Sequence, residues 1–120
     1  MSHMAKAKVQ FTNSAAIAAA VSQISGAKLL GQRTVEFFDG QCATGLEIRL
    51  PGWAYSIVVQ PNGDIQSDNY QGRWGDPATL DRLCAAYAVA AIYQEAQLRG
   101  QAVEESIDQE TGETVLKVYA

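Results

Sequence analysis

Residues 33–66 read RTVEFFDGQCATGLEIRLPGWAYSIVVQPNGDIQ, and their apolar period is two. Val35 and Phe37, then Leu46, Ile48 and Leu50, then Tyr55, Ile57 and Val59 alternate with Glu36, Glu47, Arg49 and Ser56. Successive side chains of a strand point to opposite faces, so this spacing predicts a meander of antiparallel strands with one buried face and one wet face. Trp53 and Tyr55 are expected to open one of these strands on a shared, core-facing side. Asp39-Gly40, Pro51-Gly52 and Asn62-Gly63 mark the reversals, because these residues tolerate the positive φ that tight turns require.

Upstream of the meander, Ala5 to Phe11 reads as a short strand with Val9 and Phe11 on one face. Thr12, Asn13 and Ser14 each have a side-chain oxygen suited to capping a helix. That helix is expected to run to Ser25, burying the thin stripe of Ile17, Val21 and Ile24, with Gly26 ending it.

Downstream, Ser67 to Gly75 has neither period and reads as an irregular loop. Asp76 caps and Pro77 opens the longest helix, which Gly100 ends. Leu80, Leu83, Cys84, Tyr87, Ala88, Ala91 and Ile92 form its broad apolar face, while Glu95 and Arg99 pair four apart on the outside. Ala102 to Asp108 and Glu113 to Tyr119, around Glu110-Thr111-Gly112, read as an acidic hairpin. The order β-α-β-β-β(β)-α-β-β implies an α+β fold: an antiparallel sheet of five to six strands with two helices packed on one face.

The chain has 120 residues, 48% hydrophobic and 18% charged, which suits a single domain spanning residues 1–120 with its own core. Residues 1–4 are expected to be flexible, and Met1-Ser2-His3-Met4 reads either as native or as a remnant of a cloning vector. No apolar run reaches the roughly 20 residues of a membrane span, and the N-terminus lacks the layout of a secretory signal, so a cytoplasmic location is expected. The net charge of -4 is concentrated at one end: beyond Gly100, five acids (Glu104, Glu105, Asp108, Glu110 and Glu113) face one base, Lys117. Nothing clusters Lys and Arg as a nucleic acid partner demands.

The residues for catalysis are missing. His3 is the only histidine and lies at the very start of the sequence, where it cannot be held beside a nucleophile. With two cysteines, Cys42 and Cys84, the chain is short of the four ligands of a structural zinc, and both are expected to be reduced thiols. Cys42, between Gly40 and Gly45, has no Lys, Arg or His near it in sequence to lower its pKa, so it reads as inert. No glycine-rich nucleotide loop occurs, because Gly72-Arg73-Trp74-Gly75 lacks the helix-opening lysine. No catalytic residue, cofactor or metal is expected.

Two site candidates remain. Tyr70, Arg73 and Trp74 in the irregular loop are the residue types that anchor protein partners. Their bland reading is that both aromatics fold over the sheet edge while Arg73 pairs with Asp76 or Asp81. Asp64, Asp68 and Asp76, together with Arg73, are the alternative, a polar ligand pocket beside that loop; turn and capping roles are their bland reading.

The opening Met1-Ser2-His3, the helix motif Leu80-x-x-Leu83-x-x-x-Tyr87-Ala88, and Gly100 leading to Val103-Glu104-Glu105 and a final hairpin resemble one family across nearly the whole chain. It is that of hypothetical chloroplast reading frame thirty-five, found in cyanobacteria and algal plastids. The chain departs from the pattern at Met4, where the family has an aromatic residue, and in its alanine-rich first helix. The resemblance implies a native Met1-Ser2-His3, a setting in the cyanobacterial cytosol or plastid stroma, and no assigned activity. It also implies an accessory or adaptor role near an AAA-type ATPase.

The expected function is therefore a non-enzymatic accessory or adaptor domain binding a protein partner. The alternative is a small-molecule-binding protein or minor enzyme using the aspartate pocket. Homo-oligomerisation through a free strand edge ranks last, because the acids of the hairpin oppose self-pairing.

Overall fold

The computed structural model describes residues 4–6, 10–37, 40–68 and 75–119, with the backbone alone at 4–6. In chain order the elements are β1 (Met4–Lys6), α1 (Ser14–Gln23), β2 (Lys28–Glu36), β3 (Cys42–Arg49), β4 (Ile57–Val59), β5 (Ile65–Asp68), α2 (Pro77–Leu98), β6 (Ala102–Ile107) and β7 (Thr114–Tyr119). Strands β5, β4, β3 and β2 lie side by side in an antiparallel sheet, β1 adds to its β5 edge, and β6 and β7 form a separate two-stranded ribbon.

The α+β class and the element order follow the expected pattern, but the hairpin does not extend the sheet. Its two strands pair only with each other among the described residues. Met4 is paired with Asp68, so β1 takes in a residue expected to be flexible. Phe11 lies outside any strand, and Val9 lies outside the described residues.

The period-two reading places β3 and β4 correctly in space. Leu46 faces Val59 and Ile48 faces Ile57 across the ladder, and all four join the core with Ile65. The core is closed by Ile17, Ala20 and Val21 of α1 and by Leu83 and Tyr87 of α2, so both helices cover this face. On the opposite face Val58, Ala43 and Phe37 form a smaller cluster with Val35 and Tyr55. Gly45 is required where β3 meets β4, because a Cβ there would collide with the Val59 carbonyl.

Four local expectations are corrected. Strand β2 begins at Lys28 and not at Arg33; an irregularity between Leu29 and Gly31 breaks the alternation that period counting relies on. Trp53 and Tyr55 precede β4 and go to opposite faces, Trp53 into the main core and half-buried Tyr55 edge-on to Phe37 at 6.5 Å. Helix α1 stops at Gln23, and β5 continues to Asp68, within the stretch expected to be irregular.

The caps act as the sequence suggested. Asn13 is the residue that caps α1, its Oδ1 accepting from the Ala16 amide at 3.0 Å, and Asp76 Oδ1 accepts from Ala78 N at 3.0 Å at the start of α2. Trp53 fixes that second start. Its indole Nε1 donates to the Asp76 carbonyl at 3.2 Å and its ring fills the space a Cβ at Gly75 would need.

Candidate functional site

The site begins with an absence of charge on helices. Helix α1 carries no charged residue, and neither does α2 from Leu83 to Gln94. A helix face in contact with water ordinarily carries Lys, Arg, Glu or Asp. On α2 the face holding Leu83 and Tyr87 enters the core, while Ala85, Ala88, Val89, Ile92 and Tyr93 follow one another along a different side. Ala88 and Ile92, expected in the core, are exposed.

The end of α2 sets what lies over that side. Gly100, at φ 66°, ends the helix, with Gly100 N donating to Gln97 O at 3.2 Å and Gln101 N to Ala96 O at 2.8 Å. This is the glycine-terminated double bond pattern that reverses a chain after a helix. The ribbon β6–β7 therefore runs back over α2. Its far turn is held by Asp108, whose Oδ1 accepts from Glu110 N at 2.8 Å, while Gly112 N donates to Asp108 O at 2.7 Å.

Register sorts the ribbon into two faces. Val103, Glu105 and Ile107 share one with Val118, Leu116 and Thr114; Ala102, Glu104 and Ser106 share the other with Tyr119, Lys117 and Val115. The first looks toward α2. There Tyr93 Oη donates to Glu105 Oε2 at 2.9 Å, and Val103 and Leu116 are half-buried. On the second, Tyr119 Oη donates to Glu104 Oε2 at 2.9 Å. The carboxylate hydrogen bond, then partial loss of water, raises the pKa of both phenols above the ordinary value, and at Tyr93 the charge of Glu105 adds to it.

Between ribbon and helices is an open cleft of about 980 Å³. Ala85, Ala88, Val89 and Ile92 form its floor, Ala19 and Gln23 of α1 one side, and Glu105, Glu113, Thr114 and Leu116 the other. A second cleft of about 230 Å³ continues toward Arg99 and Val118. The ribbon also leaves large apolar side chains in water: Ile107 is 68% exposed, and Val115, Val118 and Tyr119 are exposed too. This arrangement suits recognition by burial, because it offers uncharged surface with carboxylates at the rim and no paired acid, base and nucleophile.

The residues singled out from sequence fall elsewhere. Tyr70, Arg73 and Trp74 lie outside the described residues. Asp64 sits in the β4–β5 turn, where its amide donates to Asn62 Oδ1 at 3.0 Å; Asp76 is the α2 cap, and Asp68 is buried in β5. Neither cleft touches any of the three. Among the described residues no three His, Cys, Asp or Glu side chains gather as metal ligands. Both cysteines are free: Cys42 is exposed, and Cys84 is half-buried with its pKa raised by burial and then by the charge of Asp81.

Sequence reasoning missed the cleft because it placed Ala88 and Ile92 on the core face of α2 and assigned Ala85, Val89 and Tyr93 to no face. The usable signal was the uncharged run from Leu83 to Gln94, too long to be explained by one buried stripe. Among the described residues, no helix is long and apolar enough to cross a membrane. Comparison of the chain with family models, with curated proteins and with solved structures finds no match.

Proposed function

We propose that this chain is a non-enzymatic accessory or adaptor domain that binds a protein partner through the cleft between α2 and the C-terminal ribbon. The observation that carries the reading is the cleft itself: about 980 Å³ of open space over an uncharged helix face, beside a ribbon whose apolar side chains stand in water. A two-stranded hairpin alone is marginally stable, and apolar residues on it are costly unless something covers them. A cytoplasmic setting accords with this reading. An AAA-type ATPase, the neighbour implied by the sequence resemblance, is the partner class to examine first.

The experiment is capture from native cell extract with the tagged chain, comparing wild type with Ala88→Arg, whose exposed position allows the fold to persist by circular dichroism. One stoichiometric protein held by wild type and lost by the variant is the expected result. Equal capture by both chains refutes the cleft as the contact surface. A Tyr70→Ala/Trp74→Ala chain in the same series tests the loop expected from sequence.

A further inference from the structure

We infer that the occupant of the cleft is a basic amphipathic helix, two to three turns long, donated by a partner protein. This rests on the protein-binding reading above and names the chemistry of what is bound.

The length follows from the floor. Ala85 to Gln94 extends about 14 Å along α2 at 1.5 Å per residue, the rise of about two and a half helical turns. Small side chains at Ala85 and Ala88 let a second backbone approach closely, and Val89 and Ile92 supply apolar contact between them. A helix lying in such a groove inserts residues spaced i, i+3/i+4 and i+7. A metabolite is a poorer fit, because the volume is at the upper limit of small-molecule sites and a cleft this open leaves much of a small ligand in water.

The charge follows from the rim. Glu105 and Glu113 line the cleft, and among the described residues no base does; Lys117, the ribbon's single base, lies with Glu104 on the face turned away from α2. The floor carries no charge to offset them. An incoming helix with Lys or Arg flanking its apolar stripe meets these carboxylates, whereas an acidic one is repelled. A second copy of this chain meets its own carboxylates again, since a two-fold contact brings each rim against the same rim.

The molecule is more extended than a compact monomer, with the ribbon standing off the body. The chain exposes 7407 Å², against about 6,300 Å² for a compact monomer of its mass. Its radius of gyration is 15.4 Å, against about 13.6 Å for a compact chain of this length.

The test titrates the chain into three fluorescein-labelled peptides of about 18 residues and reads anisotropy. One is a Leu/Lys peptide with helical spacing, one is its Leu/Glu analogue, and one is a scrambled Leu/Lys peptide without an apolar face. The expected result is one-to-one binding of the helical Leu/Lys peptide, at least about tenfold tighter than either control. Ala88→Arg abolishes that binding, and Glu105→Lys/Glu113→Lys weakens it at least about tenfold, with circular dichroism unchanged. Equal affinity for the Leu/Glu or scrambled peptide, indifference to Ala88→Arg, or no binding of any peptide overturns the inference. So does sedimentation showing a dimer that Ala88→Arg dissociates, which makes a second copy the occupant. Failure here with Ala88-dependent capture of a native partner leaves the protein-binding reading standing and removes only its chemistry.

Discussion

Tyr87 shows how one side chain joins two distant parts of the chain. Its ring stacks on Phe11 at 4.1 Å, and its hydroxyl oxygen accepts from the amides of Thr12 and Asn13 at 3.0 and 3.1 Å. Those amides precede α1, so a residue of α2 holds the entry to the first helix. Tyr87→Phe keeps the ring but leaves two part-buried donors without this acceptor; stability should fall by about 1–3 kcal/mol in urea unfolding. A fall no larger than that of an exposed substitution contradicts the account. The sequence placed Tyr87 on the core face of a helix, but its bond to residues some 75 positions away follows only from the packing of α1 on α2. At the cysteines, burial and the Asp81 charge raise the pKa of Cys84, which lowers its thiolate fraction at neutral pH. Iodoacetamide should therefore label exposed Cys42 well before Cys84 in the native protein, as read by mass spectrometry. Comparable rates at both would show that Cys84 is not shielded.

Elements differ in how much of them a period reveals. Strands β3 and β4 were legible because Leu46, Ile48, Ile57 and Val59 alternate along the face the helices cover, although Ala43 and Val58 are buried on the face expected to be wet; α2 was legible from its capping Asp76, its Pro77 and its terminating Gly100. The beginning of β2 was not, since two adjacent leucines and an irregular register at Leu29/Gly31 leave no alternation to count. The hairpin was found from its turn residues, but its separation from the sheet was hidden. Pairing partners beyond the turn depend on where α2 ends and how Gly100 turns the chain. Its tie to α2 also makes a pH prediction. The Tyr93 phenol, bonded to Glu105, has a folded pKa above the ordinary 10.0. The bond's contribution is thus complete below pH 10 and disappears as pH rises through the raised value. In a phenolate absorbance titration, the component missing from Tyr93→Phe should titrate above that of a free tyrosine, and Glu105→Gln should bring it down. Titration at the ordinary value in the wild type would mean that ribbon and helix are not joined this way.

At the scale of the molecule, a sheet and two helices make a conventional core, while the ribbon forms an arm with little core of its own. The chain measures 49 × 31 × 23 Å, an elongation that fits an arm held beside a body. Composition alone located the acidic end; it did not show that this end would face an uncharged helix across open space. That juxtaposition is long-range, fixed by the α1–α2 contact and the reversal at Gly100, and no local pattern encodes it. The central claim is that this space holds another protein. The most direct measurement places a photo-crosslinking amino acid at Ala88 in the native cell, with the same group at Thr34 on the exposed edge strand as control. One specific adduct is expected from position 88 and none of that mass from position 34. No adduct at 88, or the same adducts from both positions, would contradict the central claim.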